Sequence, residues 1–275
     1  MRRTVLHSLL RERAENLGAE LRWGVKAVHL APEGVSVSGI TEKFDFVVGA
    51  DGQNSQIRKQ AGLYRCRKER SRFGFRRHYR IAPWSPFVEV YWGSGCQFYV
   101  TPVGPEETCL ALLSSDSLLR IDRALPQFPA LQARLGEAPS ASTEKGALTV
   151  FRVLCRVHSD RVALLGDASG SVDAITGDGL SLAFKQSIAL AEAISAGDLA
   201  AYGVAHRELS RVPRYMSSLL LSLDKHPALQ RKAFLSLERR PDFFTSLLGV
   251  HVGHGSFSDL LSWRLLSLCR EFLVS

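Results

Sequence analysis

Residues 161–194 read RVALLGDASGSVDAITGDGLSLAFKQSIALAEAI, and the order of residue types here decides the fold. Val162, Ala163, Leu164 and Leu165 form a short unbroken apolar run, the pattern of a buried strand. Asp167 stands at its carboxyl end. Small and polar residues follow, and then the turn TGDG at 176–179 opens a helical pattern of about sixteen residues. A strand, a loop and a helix N-terminus in that order make a site for an oxygen-rich ligand. The first helical turn offers unpaired N–H groups and the positive end of the helix dipole.

Residues 43–62, KFDFVVGADGQNSQIRKQAG, repeat the plan on a smaller scale. Residues 43–52 read as a strand, apolar at its centre, that carries Asp51 and Gly52 at its end, and Asn54 or Ser55 can cap a short helix that stops at Gly62. Residues 20–30 and 34–40 read as strands about a turn at 32–34. Between the two motifs, residues 73–113 are rich in aromatic and β-branched side chains and are expected as antiparallel strands, with a hairpin turn at 93–95. Residues 117–135 read as helix interrupted at Pro126 and Pro129, and 148–154 as a strand. From residue 177 onward nearly everything reads as helix. At the start, Val5, Leu6, Leu9 and Leu10 share one face of a helix that Gly18 ends.

The 275 residues carry a net charge of +8 and are 45% hydrophobic and 23% charged, an ordinary composition for a globular protein. The basicity is local. Residues 65–80, RCRKERSRFGFRRHYR, contribute +7 of it. Such a run, with Phe73, Phe75 and Tyr79 among the arginines, can stack bases and grip phosphates, so nucleic-acid binding is one reading. Five cysteines without a CxxC pair suit reduced thiols in a cytoplasm. No apolar stretch reaches the length of a membrane span. Residues 258–273, SDLLSWRLLSLCREFL, read as a helix docked on the core, with weak lipid-surface association as the alternative.

GADGQNS at 49–55, followed by Arg58, and GDASGSVDAITGDG at 166–179 resemble two fingerprints of FAD-dependent monooxygenases with a p-hydroxybenzoate-hydroxylase-like fold. Arg3 and the leucine-spaced helix after it are similar to the segment that precedes those motifs. The aromatic-rich middle resembles the substrate sheet of a geranylgeranyl-reductase-like branch. The resemblance covers most of the chain. It implies an α/β (α+β) fold, in which an incomplete FAD/NAD(P)-binding Rossmann-like domain is interrupted by an antiparallel β-sheet substrate domain and followed by a helical C-terminus. The expected parts are 1–62 and 156–200 for the FAD-binding domain, 63–155 for the substrate domain and 201–275 for the helical region.

The same resemblance implies FAD as cofactor, NAD(P)H as electron donor and a small apolar or aromatic organic substrate. It places cofactor contacts at Arg3, Asp51, Gly52, Gly166, Asp167, Gly177, Asp178, Gly179 and Leu180, with Asp167 on the ribityl chain. No catalytic acid, base or nucleophile is assigned, because flavin carries the chemistry. Two departures lean toward the reductase-like and other oxidoreductase branches: Ala174 stands where proline commonly follows VD, and Leu180–Ser181 stand where hydroxylases usually carry an amide. The front GxGxxG turn of such proteins is absent from residues 1–275, as in a truncated product or an inactive fragment. Asp173 and Asp178 read as solvated loop acids. His206, His226, His251 and His254 lack ligand spacing and read as surface or capping residues.

Overall fold

The computed structural model describes residues 2–25 and 28–254. Helix α1 (Arg3–Asn16) leads to a three-stranded antiparallel sheet of β1 (Val28–Ala31), β2 (Gly34–Val37) and β3 (Ile40–Lys43). The expected strand at 20–30 is thus confined to its last residues. The expected continuous strand from Lys43 is broken, since β3 ends there and β4 (Val47–Gly49) joins a different sheet. Ser55 caps α2 (Gln56–Gln60) by accepting from the Arg58 N–H at 2.9 Å, and Gly62 ends it at φ 67°.

The arginine-rich run lies in β5 (Cys66–Tyr79), which is longer than expected. With β6 (Glu89–Trp92), β7 (Cys96–Gly104) and β8 (Glu107–Ser114) it builds an antiparallel sheet of order β6-β7-β8-β5-β9. The chain crosses one face of that sheet through α3 (Ile121–Ala124) and α4 (Pro129–Leu135), separated at the expected prolines, and returns along β9 (Lys145–Leu154). Phe98, Leu110, Leu112, Ile121 and Leu131 are buried between sheet and helices.

After β10 (His158–Ser159), β11 (Val162–Leu164) pairs in parallel with β4, 115 residues earlier in register: Val47 faces Val162 and Gly49 faces Leu164. The two motifs therefore leave neighbouring strands at the same carboxyl edge, the place where open parallel sheets bind ligands. Among the described residues four helices follow: α5 (Gly179–Ser195), α6 (Leu199–Lys225), α7 (Pro227–Arg239) and α8 (Pro241–Val252). Ile57, Leu164, Leu190 and Tyr202 form a second core joining the small sheet to α2, α5 and α6, and the Tyr202 hydroxyl donates to the Leu164 carbonyl at 2.7 Å. No helix among the described residues is long and apolar enough to cross a membrane. The helix read at 258–273 lies outside them.

Candidate functional site

Asp167 sits in a short 3₁₀ turn (Gly166–Ser169) directly after β11. It is exposed, and its carboxylate has no hydrogen-bond partner among the described residues. The loop beneath it is held from below. Gly166 N–H donates to Gln186 Oε1 at 3.1 Å, and Ser169 Oγ donates to the Gly166 carbonyl at 2.8 Å. The chain then turns at Gly170, whose φ is 111°; an added Cβ would lie 2.7 Å from the Arg152 carbonyl, so only glycine passes there. The amide and carbonyl of Ser171 bond back to Arg152 at 3.0 and 2.9 Å, clasping the loop to β9.

Arg58 joins the two motifs. Its buried guanidinium donates to the Ala168 carbonyl at 3.0 Å and to the Gln53 carbonyl at 2.6 Å, one in each motif loop. Arg152 adds a second bond to Gln53, at 2.7 Å. Asp51 Oδ2 accepts from the N–H groups of Gln56 and Ile57 at 2.6 and 3.2 Å, so one carboxylate oxygen serves the start of α2. These bonds lower the Asp51 pKa against the opposing effect of burial. Gly52, at φ 76°, carries the turn between the two.

Gly177 takes the left-handed conformation at φ 73°, and nothing lies within 4 Å of a Cβ added at Gly177 or Gly179. Helix α5 starts there without a side-chain cap. The N–H groups of Gly179, Leu180 and Ser181 are thus left for a ligand. Asp178 and Asp173 differ from the expected solvated loop acids. Asp178 is mostly buried and pairs with His251 Nε2 of α8 at 3.2 Å, which raises the His251 pKa. Asp173 is buried, caps the turn Ala174–Thr176 through the Ile175 N–H, and meets Arg72 at 3.3 Å. Arg72 also donates to Gln97 Oε1 at 2.5 Å, and the Gln97 amide donates to Asp224 of α6. This polar string lies under the loop, beside Tyr99, whose hydroxyl donates to the Ile175 carbonyl at 2.6 Å.

The surface-or-capping reading also fails for His206. It is buried, with Nε2 2.9 Å from Ser169 Oγ, and burial together with Arg214 and Arg207 pushes its pKa down to about 4. Sequence reading missed His206, His251, Arg72 and Asp224 because their partners are distant in the chain. Arg3 stands apart. It lines a cleft with Arg76, His78, Ser142 and Lys145 that includes none of residues 166–180. The basic run does not form one cationic face. Arg72 is spent on Asp173, Arg77 on Asp122 and Glu144, and Arg70 lies over the Phe151 ring at 4.9 Å. Three of the run's cations are thus engaged within the protein, and nothing in the structure supports the nucleic-acid reading. No cluster of potential metal ligands occurs among the described residues.

No family model matches the chain. It is 30% identical over 227 residues to the geranylgeranyl diphosphate reductase of Synechocystis sp. (strain ATCC 27184 / PCC 6803 / Kazusa), covering 71% of this chain and 53% of that protein. The chain thus spans about half the length of this curated relative. Among solved structures it resembles the flavin-dependent brominase Bmp2, with a TM-score of 0.76 at 20% identity over 92% of this chain and 70% of that one. It also resembles OxyS anhydrotetracycline hydroxylase from Streptomyces rimosus, at 0.59 and 22% over 89% and 55%. The aromatic hydroxylase CabE gives 0.61 and 22% over 91% and 56%.

Proposed function

We propose that this chain, whose fold is that of flavin-dependent enzymes of the p-hydroxybenzoate-hydroxylase-like type, belongs to the FAD-dependent oxidoreductases and serves flavin-dependent oxidation or reduction of a small apolar or aromatic organic molecule, with NAD(P)H as the electron donor. One observation carries the reading. An exposed, unpartnered Asp167 at the end of β11 stands in the same loop system as an open glycine turn and an uncapped helix N-terminus. That arrangement fits a flavin. A carboxylate accepts from a polyol's hydroxyls, Gly177 and Gly179 admit a flat ring without a Cβ in the way, and the N–H groups at Gly179 and Leu180 favour negative charge on it.

Flavin supplies two-electron transfer when bound, and the chain's residues bind and orient it. In this reading Asp167 holds the ribityl chain, and Gly166, Gly177, Asp178, Gly179 and Leu180 shape the ring end. Asp51 and Gly52 contribute from the neighbouring loop, and Arg3 from its separate cleft is the contact the reading depends on least. Arg76, which has no ion-pair partner among the described residues, is available to the anionic donor. The relative named for geranylgeranyl diphosphate favours an apolar substrate and reduction.

The test is a flavin titration followed by fluorescence quenching. A charge-assisted hydrogen bond contributes about 1.5–3 kcal/mol, so Asp167→Ala should weaken FAD about tenfold or more. Equal affinity in both proteins would remove Asp167 from the site.

A further inference from the structure

A cavity of about 360 Å³ lies on the other side of the loop that carries Asp167, between α6 and the end of β9. Arg67, Arg156, Arg207 and Arg214 converge on its wall with His158 and His206, and no carboxylate lines it. None of the four guanidinium groups makes an ion pair or a hydrogen bond among the described residues. Elsewhere in the molecule Arg72, Arg77, Arg134 and Arg152 each meet a carboxylate. Four converging cations without a counter-charge repel one another, and the conflict is relieved when an anion enters.

The wall is also fitted. Gly203 lies inside α6, where glycine is less favourable than alanine. A Cβ at that position would stand 2.9 Å from His158 Nε2, so the glycine is what admits the imidazole to the cavity. His206 forms the buried back wall, and its bond to Ser169 ties the cavity to the Asp167 loop.

We propose that this cavity binds a phosphate-bearing small molecule, with a diphosphate group held by Arg67, Arg156, Arg207 and Arg214. Paired oxyanions suit several guanidinium forks at once, and the volume falls in the range of small-molecule pockets, about 300–1,000 Å³. The site is separate from the flavin reading and does not depend on it.

The experiment is calorimetric titration of the 275-residue chain with inorganic phosphate, pyrophosphate and ADP, backed by thermal melts with each probe. Pyrophosphate is expected to bind more tightly than phosphate and to raise the melting temperature. ADP tighter than pyrophosphate identifies a nucleotide as the source, and ADP equal to pyrophosphate identifies the diphosphate group alone. Arg207→Gln should weaken pyrophosphate about tenfold, and the pair Arg156→Gln with Arg207→Gln, both on exposed side chains, should weaken it about a hundredfold. Arg231→Gln on α7, outside the cavity, should change nothing. No binding of any probe to the unmodified chain, or pyrophosphate affinity unchanged in the paired variant, would overturn the proposal.

Discussion

The guanidinium of Arg58 joins two backbone carbonyls, of Gln53 and Ala168, that are 115 residues apart in the chain, and it is buried while doing so. Arg58→Ala would leave the Ala168 carbonyl without that donor and open a void between the motifs. The expected loss is about 2–3 kcal/mol in a chemical melt. Arg58→Lys should recover only part of it, because one ammonium cannot copy the fork. His206 sets a pH dependence. Its folded pKa, about 4, lies below the ordinary value near 6.5, so the unfolded chain binds the extra proton between those values. Stability should therefore be unaffected by this group above pH 6.5 and fall as the pH drops toward 4, by about 3 kcal/mol at most. His206→Gln should flatten that part of the stability–pH curve; an unchanged slope would mean the imidazole is not held neutral.

Among the elements, α8 is fastened to the start of α5 by one ion pair, His251 to Asp178. The raised His251 pKa gives the opposite sign to His206. The stabilisation is complete below the ordinary histidine value and is lost as the pH rises through the raised one. His251→Ala should make α8 the first segment cut in limited proteolysis at pH 6, with the difference shrinking at pH 9. The motif strands, both motif helices, the hairpin turn at 93–95 and the proline-broken helical stretch were legible in the sequence, because each carries a local signal such as an apolar run, a cap, a glycine or a proline. The strand read at 20–30 was mostly not formed. Alternation of apolar residues there has only a short partner in β2 to pair with. Among the site residues, Asp167, Gly177 and Gly179 could be found from order and spacing. Arg72–Asp173 and His251–Asp178 could not, since an ion pair across 101 or 73 positions leaves no periodic trace.

At the scale of the whole molecule, apolar surface remains open around the candidate site. Leu180, Phe184 and Ile188 recur every fourth residue along α5 and are 42%, 42% and 62% exposed. Strand β4 has β11 on one side and no neighbour on the other among the described residues, and α1 buries none of its leucines. A sheet edge beside an apolar helix stripe favours self-association. Chain 1–275 purified alone should elute above 30.4 kDa in size-exclusion chromatography, and Phe184→Gln with Ile188→Gln should shift it toward the monomer. The Rossmann half of the fold and the antiparallel half were both anticipated, and the parallel pairing of β4 with β11 is what brings their motifs together. The central claim is that this shared carboxyl edge is where flavin binds. Hydrogen exchange with and without FAD measures it most directly. The account predicts slower exchange at residues 166–181, with a smaller effect at 49–55, and no change along β6 or α7. Protection confined to other segments, or no protection at FAD concentrations that quench its fluorescence, would contradict it.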